Sequence, residues 1–152
     1  MREDATLSSE TFTIADLRLD EIEAAVALWE ACGLTRPWND PRADARLALA
    51  GPASTILAGR IDGHLAATVL VGVDGHRGWV YYLAVSPDRR GLKYGEAMMR
   101  AAEAWARARG APKLQLMVRG DNAAVVAFYE AIGYGVEDRI ILSLRLDGAG
   151  AV

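Results

Sequence analysis

The stretch that most limits how this chain can fold runs from Tyr81 to Arg109, YYLAVSPDRRGLKYGEAMMRAAEAWARAR. Tyr81, Leu83 and Val85 alternate with Tyr82 and Ala84, the period-2 pattern of a half-buried strand. Pro87 has no N–H to give to a ladder, so Ser86-Pro87-Asp88 ends that strand. Past the turn, Tyr94, Ala97, Met98, Ala101, Trp105 and Ala108 fall at helical spacing, while Glu96, Arg100, Glu103 and Arg107 take the other side. Between strand and helix stand two arginines, a lysine and two glycines, Arg89-Arg90-Gly91-Leu92-Lys93-Tyr94-Gly95. A glycine-bearing turn at a helix start leaves free N–H groups aimed at one point, with the positive end of the helix dipole behind them. The adjacent cations make that point attractive to a di-anion such as a pyrophosphate. Neither Gly-x-x-x-x-Gly-Lys-Ser/Thr nor Gly-x-Gly-x-x-Gly is present, so the two commonest phosphate loops are excluded.

The rest of the chain supplies further elements in order. Thr11 to Ala15 reads as a first strand. Asp20 can cap a helix with Ile22, Ala25, Val26 and Trp29 on one face, ending near Gly33. Gly33 to Pro41 is a stiff loop with two prolines, and Asp40-Pro41 starts a short helix carrying Ala43, Leu47 and Ala50. Ser54–Arg60 and His64–Val73 form a hairpin through Asp62-Gly63, and a longer turn from Asp74 to Gly78 leads into Trp79–Val85. After Gly110-Ala111-Pro112, Leu114, Leu116 and Val118 alternate as a strand parallel to 79–85, because a helix crosses over between the two. Ala123–Ile132 is a short helix, and Tyr134–Glu137 with Ile140–Leu146 reads as a closing pair of strands.

At 152 residues the chain is expected to be one domain over 11–147, between a flexible N-terminus (1–10) and a loose Gly/Ala tail (148–152). A composition 52% hydrophobic and 24% charged suits a globular core without staples. The net charge of −3 argues against general nucleic-acid binding, the basic cluster at Arg89, Arg90 and Lys93 being a local exception. One cysteine, Cys32, excludes an internal disulfide and reads as a packing residue. No apolar run reaches membrane-spanning length and the charged N-terminus shows no secretory segment, so a cytoplasmic protein is expected.

Leu83-Ala84-Val85-Ser86-Pro87 followed by Arg90-Gly91-Leu92-Lys93-Tyr94-Gly95 resembles the acyl-CoA loop of the GNAT N-acetyltransferases, Arg/Gln-x-x-Gly-x-Gly/Ala after a strand ending Leu-x-Val-x-Pro. Lys93 departs from it, standing where the family's first glycine would be. A side chain there either crowds the pyrophosphate and resists the backbone angles or swings its ammonium toward a phosphate. A second stretch, Asn122 through Tyr129-Glu130 to Gly133-Tyr134, is similar to the family's Asn-x6-Tyr-Glu-x-x-Gly-Phe/Tyr signature. The element order matches as well, over nearly the whole chain.

The resemblance implies an α+β fold with a mixed sheet of about seven strands flanked by about four helices. It also implies a cytoplasmic acetyl-CoA-dependent N-acetyltransferase with no metal. Acetyl-CoA would lie against Leu83, Ala84 and Val85, on the loop Arg90, Gly91, Leu92, Lys93, Tyr94, Gly95 and Glu96, and beside Asn122. Tyr129 would be the acid for the departing thiolate. On their own, Asn122 also reads as a helix N-cap and Tyr129 as an aromatic on a helix's buried face. Some family members carry a glutamate five residues before the asparagine; here that residue is Met117, leaving Asp74, His76 and Glu30 as low-weight bases. The acceptor, a small-molecule amine or a peptide N-terminus, would meet Arg36, Trp38 and Asn39, within a segment similar to one in short bacterial GNAT proteins. Trp38 reads equally as a core plug. A homodimer is compatible with the sequence. Two other classes stay open: a non-catalytic acyl-CoA-binding module, and an anion- or nucleic-acid-binding domain built on Arg89–Lys93. The second lacks the interleaved exposed aromatics usual for such domains.

Overall fold

The computed structural model describes residues 10–148 and Gly150. The expected flexible N-terminus therefore lies almost wholly outside the described residues, as do 149, 151 and 152 of the tail. The chain falls into two compact units, Met1–Leu116 and Met117–Val152.

The first unit is built on five strands: β1 (Phe12–Asp16), β2 (Ser54–Ile61), β3 (His64–Val73), β4 (Gly78–Val85) and β5 (Leu114–Gln115). They lie side by side in sequence order, antiparallel from β1 to β4. The last pair is parallel and short, with Gly78 opposite Leu114 and Trp79 opposite Gln115. The helix between them, α3 (Tyr94–Ala108), makes that crossover possible. Asp62 (φ 51°) and Gly63 (φ 86°) form the two-residue turn of the β2–β3 hairpin as their sequence demands. At the other end of β3 the Asp74 carboxylate accepts the N–H groups of His76 (2.9 Å) and Arg77 (2.7 Å), which shapes the turn into β4.

Helices α1 (Ile22–Ala31) and α2 (Pro41–Ala50) bury Ile22, Val26, Trp29, Ala45 and Ala48 with Ile56 and Ala58 of β2 and Ala84 of β4. The residues alternating with these on β2, Leu57 and Ile61, are also buried, and Met98 of α3 comes so close to Gly59 that a Cβ there would lie 2.9 Å from its sulfur. Strand β2 is thus covered on both faces, which is why it reads as a nearly continuous apolar run. Among the described residues no helix is long and apolar enough to cross a membrane.

Several expectations need correction. The strands number five among the described residues, not about seven. Ile140–Leu146 and Tyr134–Glu137 form no ladder, and Ile140, Leu142, Leu144 and Leu146 are exposed; alternation alone makes no strand without a partner edge. The strand over 114–118 stops at Gln115. Helix α3 buries Met98, Met99, Ala102 and Ala106, a face turned from the one the spacing suggested, and in α2 Leu47 is exposed while Ala45 and Ala48 are buried. In α2 the small alanines let the helix approach the sheet and the larger leucine stays at the rim. Asp40 does cap α2, accepting N–H groups of Arg42 and Ala43 at 3.1 Å, with Pro41 in the first turn. Asp20 caps nothing. A 3₁₀ turn, Leu19–Glu21, precedes α1, and Glu21 reaches back to accept the Arg18 N–H (2.9 Å).

Glu21 also forms the buried ion pair of the unit. Its carboxylate accepts from Nε of Arg60 (2.9 Å) and from the same guanidinium's Nη2, while Nη2 also donates to the Asp16 carbonyl (3.0 Å). The pair ties the start of α1 to β1 and β2. The Arg60 hydrogen bonds hold the Glu21 carboxyl at about 2, below its ordinary 4.5, against the opposing effect of burial. A depressed carboxyl stabilises the fold fully above its unfolded value and loses that contribution as pH falls through the folded one. Urea unfolding should therefore show the wild-type protein losing stability from about pH 4.5 toward about pH 2. Glu21→Gln should be weaker near neutrality, because Arg60 is left buried and unpaired, but lose less on acidification. Parallel acid limbs for the two proteins would refute this role for the pair.

Candidate functional site

Strand β4 carries a break in its register. Thr68 of β3 faces Ala84 and Leu70 faces Tyr81, so Val69 alone stands opposite Tyr82 and Leu83. Tyr82 takes up the extra length with φ 54°, in the left-handed region where a residue bearing Cβ is strained. Three contacts hold it there, and a fourth fixes Thr68. Its ring stacks on Trp29 at 3.9 Å between centroids, and its hydroxyl donates to Oδ2 of Asp44 (2.8 Å). Its carbonyl accepts from Oγ1 of Thr68 (2.9 Å), and the same hydroxyl oxygen accepts from Nε1 of Trp29 (2.9 Å). Trp29 and Thr68 are fully buried. Burial, then the Asp44 carboxylate, keep the Tyr82 phenol protonated far above its ordinary range.

The direction of one peptide group follows. A trans peptide sets its C=O and N–H on opposite sides. With the Tyr82 carbonyl fixed on the Thr68 hydroxyl, the Leu83 N–H points away from that hydroxyl, and beyond Trp79 one edge of β4 bears no strand among the described residues. The Ser86 N–H donates to Ala66 O on the β3 side, so by alternation Ala84 belongs to the ladder and Val85 to the open edge. Of the three residues expected to pair with a ligand, Leu83 turns its N–H from Thr68 and Val85 lies on the open-edge side, where its carbonyl already accepts from Arg90 and Cys32. Ala84 is buried in the sheet.

The loop after β4 lies where the sequence put it. Pro87–Arg89 make one 3₁₀ turn, Gly91 has φ 80°, and Lys93 caps α3 from a left-handed conformation, φ 67° and ψ 18°. The first helical bond runs from the Ala97 N–H to the Lys93 carbonyl (3.1 Å). Among the described residues, no partner is found for the N–H groups of Gly91 to Glu96. Arg90 braces the base of the loop: its Nε donates to Val85 O (3.3 Å), and its guanidinium lies 3.2 Å from Sγ of Cys32, which itself contacts Val85 O. Cys32 packs against the core as read, and it also touches the loop's base. Arg89 pairs with Glu10, and the Lys93 side chain is exposed. Tyr94 stacks on Phe12 (4.4 Å), which anchors the helix start to β1.

Beside Tyr82 opens a cleft of about 530 Å³, lined by Leu34, Asn39, Asp44, Leu47, Ala48, Ser54, Leu70, Tyr81 and Tyr82. Of the residues expected to meet an acceptor, only Asn39 is in this lining. Arg36 turns its guanidinium onto the carbonyls of Gly33 (2.9 Å) and Thr35 (2.8 Å), so it shapes the loop instead. Trp38 is about half exposed and does not plug the core. Asp74 and His76 lie in the turn before β4, at the opposite end of that strand from the loop.

The second unit holds the other two expected residues. Asn122 caps α4 (Ala123–Ala131), its Oδ1 accepting the Val125 N–H at 3.3 Å. Tyr129 sits on that helix between the edges of Phe128 (5.0 Å) and Tyr134 (5.7 Å). Burial pushes its phenol up to about 12. Sequence reasoning missed Trp29, Thr68, Tyr82 and Asp44 as a group. Trp29 looked like an ordinary core aromatic, and the one usable signal was Thr68, a hydroxyl inside the apolar run Leu65–Val73.

Substitutions at two positions test this geometry. Thr68→Val keeps the shape but leaves Trp29 Nε1 and the Tyr82 carbonyl without partners, so denaturant unfolding should show a loss of about 1–3 kcal/mol. Thr68→Ser should retain most of the stability. Lys93→Gly should stabilise the fold by up to about 1 kcal/mol, because glycine adopts a left-handed angle without the Cβ conflict; Lys93→Ala should give no such gain.

The sequence matches the model of the acetyltransferase (GNAT) family over residues 20–134. It is 43% identical over 127 residues to an acetyltransferase of Yersinia pestis, covering 84% of this chain and 90% of that protein. It is 44% identical over 129 residues to an acetyltransferase of Pectobacterium atrosepticum, covering 85% and 92%. Among solved structures, the aminoglycoside N-acetyltransferase AAC(6')-Iy in complex with CoA superposes with a TM-score of 0.78 at 15% identity, over 91% of this chain and 97% of that one. The strand with its glycine loop, the Asn122–Tyr134 segment and these likenesses agree: the chain belongs to the GNAT acetyltransferase family.

Proposed function

We propose that this acetyltransferase moves an acetyl group from acetyl-CoA to a primary amine by direct attack in a ternary complex. The observation that carries the reading is the row of unpartnered N–H groups from Gly91 to Glu96 beside the open edge of β4. A pyrophosphate fits such a row, at the positive end of a helix and beside the exposed Lys93 ammonium. The Leu83 and Val85 edge suits an amide-bearing arm added as a half-strand. The CoA complex of AAC(6')-Iy supports the same cosubstrate; that protein's name speaks for a small-molecule amine as acceptor, and the likeness to a ribosomal-protein-alanine N-acetyltransferase keeps a peptide N-terminus beside it.

In this reading the Leu83 N–H, already aimed by the Thr68 hydroxyl, meets the negative charge that develops on the thioester oxygen. Its alignment precedes the reaction, so no reorganisation is needed when the charge appears. Tyr129 acts as the acid toward the departing sulfur. Its phenol near 12 keeps its proton through neutral pH, while a thiol titrates at about 8.5. The difference favours a hydrogen bond to the sulfur as its charge grows over complete loss of the phenolic proton. Asn122, already committed to its helix cap, orients that segment. A cytoplasmic location and a homodimer belong to the same reading; light scattering decides the second.

Thiol release from acetyl-CoA with a panel of amines tests the activity. In single-turnover assays Tyr129→Phe should lower the rate by about 10²–10⁴ with acetyl-CoA affinity little changed. Equal rates would return Tyr129 to a packing role. Tight binding of acetyl-CoA without transfer to any amine would favour a non-catalytic acyl-CoA-binding module.

A further inference from the structure

The cleft beside Tyr82 has a chemistry of its own. Its lining contains one carboxylate, Asp44, and no lysine, arginine or histidine. None of the cations nearest in sequence pairs with Asp44: Arg42 forms a two-pronged pair with Glu23 (2.7 and 2.8 Å), Arg36 is turned onto backbone carbonyls, and Arg46 is exposed and stands outside the lining. Asp44 is half-buried, and only its Oδ2 is occupied, by the Tyr82 hydroxyl. Its other oxygen makes no hydrogen bond among the described residues. Apart from Asn39 and Ser54 the walls are aliphatic and aromatic, and Leu34, Leu47 and Tyr81 leave 37%, 78% and 44% of their surfaces open. A half-buried carboxylate with a spare oxygen, set in apolar walls, favours a cation on an apolar stem.

We infer that this cleft takes an aliphatic amine with a second cationic group, and that Asp44 holds this group while the other, uncharged amine reacts. The inference rests on the transferase reading above. Tyr82 supplies the ruler. Its backbone lies in β4, next to the Leu83 N–H, and its hydroxyl ends on Asp44, so the two amine sites stand about one tyrosine side chain apart. A short α,ω-diamine such as cadaverine spans that length. Pentylamine has the same stem without the second charge, and aminovalerate replaces that charge by a carboxylate, which Asp44 repels.

The test compares kcat/KM for these three amines with acetyl-CoA. Cadaverine should exceed pentylamine by about tenfold or more, the scale of one hydrogen bond to a charged group, and aminovalerate should be the poorest. Asp44→Asn still offers an oxygen to the Tyr82 hydroxyl, and it should bring the cadaverine-to-pentylamine ratio near one. Should that variant fail to fold, added salt does the same work in the unaltered protein, shrinking the ratio as charges are screened. Calorimetry in the presence of CoA separates this inference from the reaction. If no amine is acetylated yet cadaverine binds more tightly than pentylamine, the transferase reading falls and the cation site stands. If pentylamine is acetylated as well as cadaverine at every salt concentration, the cation site falls and the transferase reading stands.

Discussion

One buried hydroxyl decides the shape of the working strand. Thr68 Oγ1 accepts from the Trp29 indole and donates to the Tyr82 carbonyl, both at 2.9 Å. It adds to the Trp29 stacking and the Asp44 hydrogen bond in holding the bulge in one conformation, where Tyr82 occupies a backbone region costing on the order of 1–3 kcal/mol. The indole–hydroxyl–carbonyl chain leaves no buried side-chain polar atom without a partner among the described residues. The orientation of the Leu83 N–H is a by-product of satisfying that chain. Core packing and a candidate oxyanion donor are therefore the same piece of structure.

Lys93 shows a different arrangement at the next turn. Its left-handed angle places it where a glycine would rest without strain, and its side chain reaches solvent beside the free N–H groups of the loop. A residue held against its own preference beside a row of N–H groups fits a trade of local stability for a charge. Arg90 makes no such trade, because its guanidinium is already bound to Val85 O and lies against Cys32, fastening the loop to the end of β4. The two basic residues at 90 and 93 thus act in different ways, one as a brace and one as a free cation.

Legibility in the sequence followed the range of the forces involved. Local rules found the Asp62-Gly63 hairpin, the Asp40-Pro41 helix start and the loop from Arg90 to Gly95, since capping, turn angles and proline act within a few residues. The long helix was equally clear, but which of its faces is buried was not. Met99 and Ala102 are chosen by what packs against them, and spacing cannot see that. The same limit hid the site's centre. Trp29, Asp44, Thr68 and Tyr82 come from two helices and two strands, and nothing in their own neighbourhoods says that they meet. The closing strands failed in the opposite direction: Ile140–Leu146 has the alternation of a strand, yet a strand is a relation between two backbones.

Strand β4 is a true partner of β5 over only Gly78 and Trp79, and beyond that point, among the described residues, no strand pairs with it on that side. Such an edge is a template on which another protein chain could add itself, the first step toward aggregation. The fold does not escape this by closing the sheet. It places Arg90 across the last carbonyl of the strand and the exposed Lys93 just beyond. The bulge at Tyr82 also spoils the flat, regular spacing that a foreign strand needs. A cation laid across its last carbonyl and a break in its register act as gatekeepers of an edge that, among the described residues, no strand covers.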